Sequence, residues 1–209
     1  MKLYDCTTAP SPKRVRMFLR EKSVDIPLVQ VNLREGEQLG AEFRKINPDC
    51  TVPVLELDDG TRISEIFAIC QYLESVYPEP ALLGRNAIEQ AMVTMWNSKI
   101  EQNGLAALAE AFRNRAKGMR DRALPGPVNL AQIPELAERG RKRTLAFFDR
   151  LDTQLGGNAY VAGNEFTLAD ITAFVMVEFA GWSKLEIGDS QANLRRWFDT
   201  VSNRPSTGA

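Results

Sequence analysis

The 209 residues contain no histidine. That removes Ser-His-Asp and Cys-His catalysis, together with every metal site built on imidazole. Cysteine is scarce. Cys6, Cys50 and Cys70 fit neither a disulfide framework nor a Cys-x-x-Cys redox or zinc motif. No sign of charge dominates: 26 Lys and Arg against 27 Asp and Glu leave a net −1, which gives no electrostatic case for nucleic acid or an anionic membrane. The opening MKLYDCTTAPSP lacks the apolar run of a signal peptide, and residues 171–182, the longest nearly uncharged stretch, are too short to span a bilayer. There is no glycine-rich phosphate loop, and Gly156-Gly157 reads as a helix stop. What remains is an ordinary soluble composition, 44% hydrophobic and 25% charged, in a chain long enough for one large or two small domains. The expected location is the cytosol, with no metal.

Most of the information lies in residues 47–77, NPDCTVPVLELDDGTRISEIFAICQYLESVY. Val54–Leu57 alternates as a strand, and Asp59-Gly60 is a two-residue hairpin signal. Arg62–Ile63 begins a partner strand. Ser64 is placed to cap a helix whose apolar positions are Ile66, Ile69, Cys70 and Leu73. Pro53 stands at the first residue of its strand, where a missing N–H does least harm.

Upstream, Lys2–Cys6 reads as a strand and Thr7–Pro12 as a turn. Ser11-Pro12 reads as a helix start, with serine capping and proline at the first helical position. Val15, Phe18 and Leu19 form that helix's apolar face. Ile26–Asn32 reads as a second strand and Leu39–Ile46 as a second helix. The order is therefore β-α-β-α-β-β-α. Tyr77-Pro78-Glu79-Pro80 breaks the pattern, and residues 81–86 read as a linker.

Beyond the linker no strand pattern recurs. Ile88, Met92, Met95, Leu105, Leu108 and Phe112 mark one long helix or two abutting ones, with a bend at Asn103-Gly104. Residues 124–127 are a loop, and Leu136–Leu155 is helical. Thr167 and Asp170 have capping-box spacing, with Phe166 and Ile171 placed as a hydrophobic staple. The helix that follows is apolar nearly all round, which makes it the buried centre of a helical domain. A last helix spans Ala192–Asn203. The basic clusters Lys13–Arg16 and Arg139–Arg143 read as solvated helix faces.

The ordered set Thr51-Val52-Pro53-Val54-Leu55, Glu65, Ala68-Ile69 and Tyr72-Leu73 resembles the glutathione-binding core of the cytosolic glutathione S-transferases. The resemblance implies an α/β plus all-α fold: a thioredoxin-like N-terminal domain (1–80), a linker (81–86) and an all-helical C-terminal domain (87–209). It also implies a cis Val52–Pro53 bond. The Val52 backbone would then meet the cysteinyl part of glutathione, and the helix start at Glu65-Ile66 would receive the γ-glutamyl group. Gln38, in the loop 34–38, would face the glycyl carboxylate, with Arg44 or Lys45 nearby. The implied reaction is conjugation of the glutathione thiolate to a small electrophile. Glutathione serves as co-substrate, and the protein works as a homodimer.

The thiol activator is the exception to that match. Residues 9–14, Ala-Pro-Ser-Pro-Lys-Arg, align with the family's Cys-Pro-x-x-x-Arg, so Ala9 stands where a nucleophile or activator would be. Arg14-Val-Arg16, Val52–Gly60 and Tyr160–Thr172 are similar to an atypical fungal and bacterial branch, which stabilises the thiolate at a helix N-terminus with water. The candidates here are Ser11, as cap or direct donor, and Thr8, with the N–H groups of Ser11, Lys13 and Arg14 as donors. Pro10, Leu108 and Phe112 are the expected second-substrate pocket. Cys6 and Cys70 read as buried, and Cys50 as a loop residue or an exposed thiol. Two alternatives stay open: a glutathione-binding or protein-interaction module without catalysis, for which Ala9 argues, and a thiol-disulfide reductase using Cys6 or Cys50.

Overall fold

The computed structural model describes residues 1–209. Four short strands form one mixed sheet, β1 (Lys2–Asp5), β2 (Leu28–Gln30), β3 (Val54–Glu56) and β4 (Arg62–Ile63), in the order β2-β1-β3-β4. β1 runs parallel to β2 and antiparallel to β3, while β3 and β4 form the hairpin closed at Asp59-Gly60. β2 is shorter than Ile26–Asn32. Ile26 is drawn into the core, and Pro27 contributes only its carbonyl, which accepts from the Leu3 N–H at 2.9 Å. A proline has no N–H to continue the ladder, so the edge strand starts after it.

Helix α1 (Pro10–Glu21) crosses between the sheet and the helical domain. It starts two residues earlier than the Ser11-Pro12 signal indicates. Ala9 is the N-cap, Ser11 is not a cap, and both Pro10 and Pro12 sit in the first turn, where missing N–H groups cost nothing. The second helical stretch is split at Gly40 into a 3-10 turn (Glu37–Leu39) and α2 (Ala41–Ile46). Helix α3 (Ile66–Val76) is capped by Glu65 rather than Ser64.

The rest is helical: α4 (Ala87–Lys99), α5 (Ala106–Arg113), α6 (Pro134–Leu155), α7 (Leu168–Ala180) and α8 (Ala192–Ser202). α4 and α5 are joined by a π-helical stretch, Ile100–Leu105, which is where the Asn103-Gly104 bend falls. At Gly104 a Cβ would lie 2.2 Å from Met176 Sδ, and at Gly140 one would lie 2.4 Å from the Ala107 carbonyl oxygen. Gly140 lets α6 pack backbone to backbone against α5, and Gly104 leaves room for the Met176 side chain of α7. α7 is the central helix, nearly all buried, and its capping box is formed. Asp170 is fully buried. It accepts from the N–H groups of Val161 (2.8 Å) and Thr167 (3.0 Å) and from Trp197 Nε1 (2.9 Å), which ties α7 to α8. The fold is a thioredoxin-like domain followed by an all-helical one, with one apolar core running through both.

Candidate functional site

Strand register brings the candidate residues to one end of the sheet. Tyr4 pairs with Val54, so the turn after β1 lies beside Val52; Leu55 pairs with Ile63, so the end of β4 lies beside the start of β3. β2 is parallel to β1, so the loop carrying Gln38 leaves from the same end. The segment before β3 is held by buried Asn47, whose Nδ2 donates to the Thr51 carbonyl (2.9 Å) and Oγ1 (3.0 Å). Val52–Pro53 is cis. Neither the N–H nor the C=O of Val52 has a partner in the protein, although the residue is largely buried. A free donor and acceptor on one residue at a strand edge match the backbone of an extended peptide.

Beside it, α3 presents three unpaired N–H groups. The first helical bond is Ile69 N–H to the Glu65 carbonyl (3.0 Å), so Ile66, Phe67 and Ala68 have no acceptor. Three such donors at a helix N-terminus form a receptor for a carboxylate. Glu65 itself has φ 65° and ψ 125°, and its exposed carboxylate has no partner in the protein. Gln38 is half-buried, with an enclosed Oε1 that finds no donor. Arg44 Nε donates instead to the Leu39 carbonyl, and Lys45 pairs with Glu42.

The start of α1 is poorer in donors than the sequence implies. Lys13 N–H closes the first helical bond onto the Ala9 carbonyl (3.3 Å), Arg14 lies one residue deeper, and Pro10 and Pro12 have no N–H. Only the Ser11 N–H is free, next to the Ser11 hydroxyl, which Arg14 Nη2 reaches at 3.4 Å. Thr8 is exposed, with its Oγ1 3.6 Å from Cys6 Sγ.

The basic run Lys13–Arg16 is not a solvated face. Arg14 and Arg16 are 4% and 6% exposed. Arg14 pairs with Glu101 of the helical domain and Lys13 with Glu178 on α7 (2.7 Å). Arg16 pairs with buried Asp5 and donates to the Thr7 carbonyl (2.9 Å). Gln30 completes this lock, donating to Asp5 Oδ2 (2.6 Å) and accepting from Thr7 N–H (3.0 Å) and Oγ1 (2.8 Å). Sequence reasoning missed these positioning residues; the one available signal was a carboxylate inside an apolar strand.

All three cysteines are buried, Cys50 included, and it adopts φ 55° with its thiol against the Pro48 carbonyl (3.5 Å). Burial pushes the Cys70 thiol far above its ordinary range. In the second-substrate set, Pro10 and Phe112 are half-buried, whereas Leu108 is fully enclosed in the helical core and lines no opening. Phe112 meets Phe179 and Trp182 edge-on, with centroids 5.5 and 5.7 Å away. These two rings were not anticipated from sequence.

Residues 9–76 match the family described as glutathione S-transferase, N-terminal domain, and residues 101–205 match glutathione S-transferase, C-terminal domain. The chain belongs to the glutathione S-transferase family. Glutathione S-transferase 2 of Saccharomyces cerevisiae is 36% identical over 209 residues, which is 99% of this chain and 87% of that protein. The crystal structure of Gtt2 from the same yeast superposes with TM-score 0.91 at 36% identity, covering 100% of this chain and 99% of that one. A glutathione S-transferase domain-containing protein of Marinobacter aquaeolei VT8 gives the same TM-score and identity, covering 99% and 100%.

Proposed function

We propose that the protein conjugates glutathione to small electrophiles, with the tripeptide held by Val52, by the N–H groups of Ile66–Ala68, by Glu65 and by Gln38. The observation that carries this reading is the unpaired Val52 backbone beside three unpaired helix N–H groups. In the reaction the thiol proton passes to solvent, the thiolate sulfur forms a bond to an electrophilic carbon, and a leaving group such as halide departs with its electron pair. The protein orients the sulfur and favours its ionised form.

With Ala9 at the activator position, ionisation falls to Ser11, through its N–H and hydroxyl, at the positive end of α1. Helix N-termini lower thiol pKa values from about 8.5 to roughly 3.5–7.5. A single free N–H supports a modest shift, which Ser11 O–H and bound water extend. Enclosure of Cys6 and Cys50 argues against a reductase. Ile88, Ala91 and Met95 form an exposed apolar stripe on α4 that suits the face of a homodimer. No helix is long and apolar enough to cross a membrane, and the proposed location is the cytosol.

The test is thiolate absorbance of bound glutathione against pH, beside turnover of an aromatic halide. We expect ionisation at least one unit below free glutathione and a moderate loss in Ser11→Ala. Glutathione that binds but titrates like the free tripeptide, with no turnover, establishes the non-catalytic module instead.

A further inference from the structure

Residues 114–133, between α5 and α6, fold as one compact loop rather than a slack connection. Arg122 bridges to Leu130, and its guanidinium reaches the Gly126 carbonyl (2.8 Å) and Asn129 Oδ1 (3.1 Å). Gln132 Nε2 donates to the carbonyls of Arg113 (2.7 Å) and Ala116 (2.8 Å), and the Ile133 N–H donates to Asn114 Oδ1 (2.9 Å). Arg113 Nη2 closes the base of the loop on the Arg122 carbonyl (2.7 Å).

Two features concentrate on this fixed shape. The first is charge: Arg113, Arg115, Lys117, Arg120 and Arg122 stand against one carboxylate, Asp121, in a chain whose total is −1. The near-neutral total conceals this local excess. Arg113 and Arg122 turn inward to carbonyls, whereas Arg115, Lys117 and Arg120 are exposed and form no ion pair or side-chain hydrogen bond. The second is apolar: Leu124, Val128, Leu130 and Ile133 are 51%, 61%, 41% and 48% exposed, around the turn Pro125-Gly126-Pro127. Aliphatic side chains grouped this closely in water mark an interaction surface.

The combination decides the partner. Free cations beside protruding aliphatic side chains match an anionic lipid surface, where the cations meet headgroups and the aliphatic groups enter the acyl boundary. Nucleic acid would satisfy the charge alone, and single strands are held by stacking on aromatic rings, of which residues 113–133 contain none. We propose that the 114–133 loop docks reversibly on an anionic phospholipid bilayer, with Arg115, Lys117 and Arg120 on the headgroups and Leu124 and Val128 inserted between them. The docking depends on this loop alone and is independent of glutathione conjugation.

The probe is a vesicle of phosphatidylcholine with about one-third phosphatidylglycerol, beside one of phosphatidylcholine alone, with the full chain followed by co-sedimentation. The anionic vesicle is expected to retain the protein at about 0.1 M salt and to release most of it at about 0.5 M, where the Debye length has roughly halved. Neutral vesicles should retain little. Lys117→Gln and Arg120→Gln should each weaken partitioning about fivefold, the factor for one cation at such a surface. Leu124→Ser should weaken it without changing the salt dependence. Arg85→Gln removes an exposed cation from the linker and should bind as the wild type does. All four positions are exposed, so dichroism should not change. Equal partitioning of the wild type and Lys117→Gln, or equal retention by neutral and anionic vesicles, overturns the assignment. So does retention by a single-stranded oligonucleotide without vesicle binding, or a dimer that ignores vesicles and dissociates in Leu124→Ser, which makes the loop an interface between copies.

Discussion

Glu65 is held with positive φ, a conformation that costs a non-glycine residue about 1–3 kcal/mol. Its carboxylate repays none of this within the protein, since it touches no cation or donor there. A strained residue with an unused charge beside the unpaired N–H groups of α3 is the observation behind the proposal that Glu65 holds the substrate. Glu65→Gln should therefore weaken glutathione by about tenfold or more in calorimetry, the range of a charge-assisted hydrogen bond, and leave far-ultraviolet dichroism unchanged. Glu65→Gly should relieve the backbone, keeping or raising Tm while binding falls. Unaltered affinity in Glu65→Gln reduces the residue to a helix start. Cys50 also has a positive φ, in a different setting: it is enclosed and fixed by its own loop, and makes no comparable case.

Among the elements, α7 shows best how its sequence specifies it. The Thr167–Asp170 spacing and the apolar run after it announce a capped, buried helix, and the helix forms on those residues. The helix starts at α1 and α3 were each misplaced by one or two residues. Proline tolerance in a first turn and a positive φ at Glu65 are decided by what packs around them, and local pattern carries neither. Burial raises the Asp170 carboxyl to about 6, against the donors Val161, Trp197 and Thr167. Its ordinary value in an unfolded chain is about 3.9, so between the two the folded state holds the extra proton. The contribution of this group is then fully present below about pH 4 and is lost as pH rises through about 6. Asp170→Ala leaves three donors unpaired, at about 1–3 kcal/mol each, and should destabilise by about 3–5 kcal/mol in urea unfolding. The gap from the wild type should be wider at pH 4 than at pH 7, and a gap that widens with pH contradicts the assignment.

For the whole molecule, α1 is the member common to both domains. Its three cross-domain pairs, Arg14–Glu101, Lys13–Glu178 and Glu21–Arg204, join residues 87, 165 and 183 positions apart. The proposed backbone site could be read from local pattern because its parts fall within residues 38–69; these pairs could not, because nothing local distinguishes a paired arginine from a solvated one. At the far end of α1 from Ser11, Glu21 accepts from Arg204 Nη2 and Nε (2.6 and 2.9 Å) and from Ser206 Oγ (2.5 Å). Burial opposes ionisation of Glu21, but these donors outweigh it and hold the carboxyl below its ordinary value. The contribution is thus present above the unfolded pKa near 4.3 and is lost as pH falls through the lower folded value. Glu21→Gln should cost about 1–3 kcal/mol at pH 7, and the difference from the wild type should shrink toward pH 3. Glutathione affinity should not change, because the α1 donor lies at the opposite end of the helix. A stability gap that is the same at both pH values would mean that the Glu21 charge contributes nothing and that packing alone joins the C-terminal residues to α1.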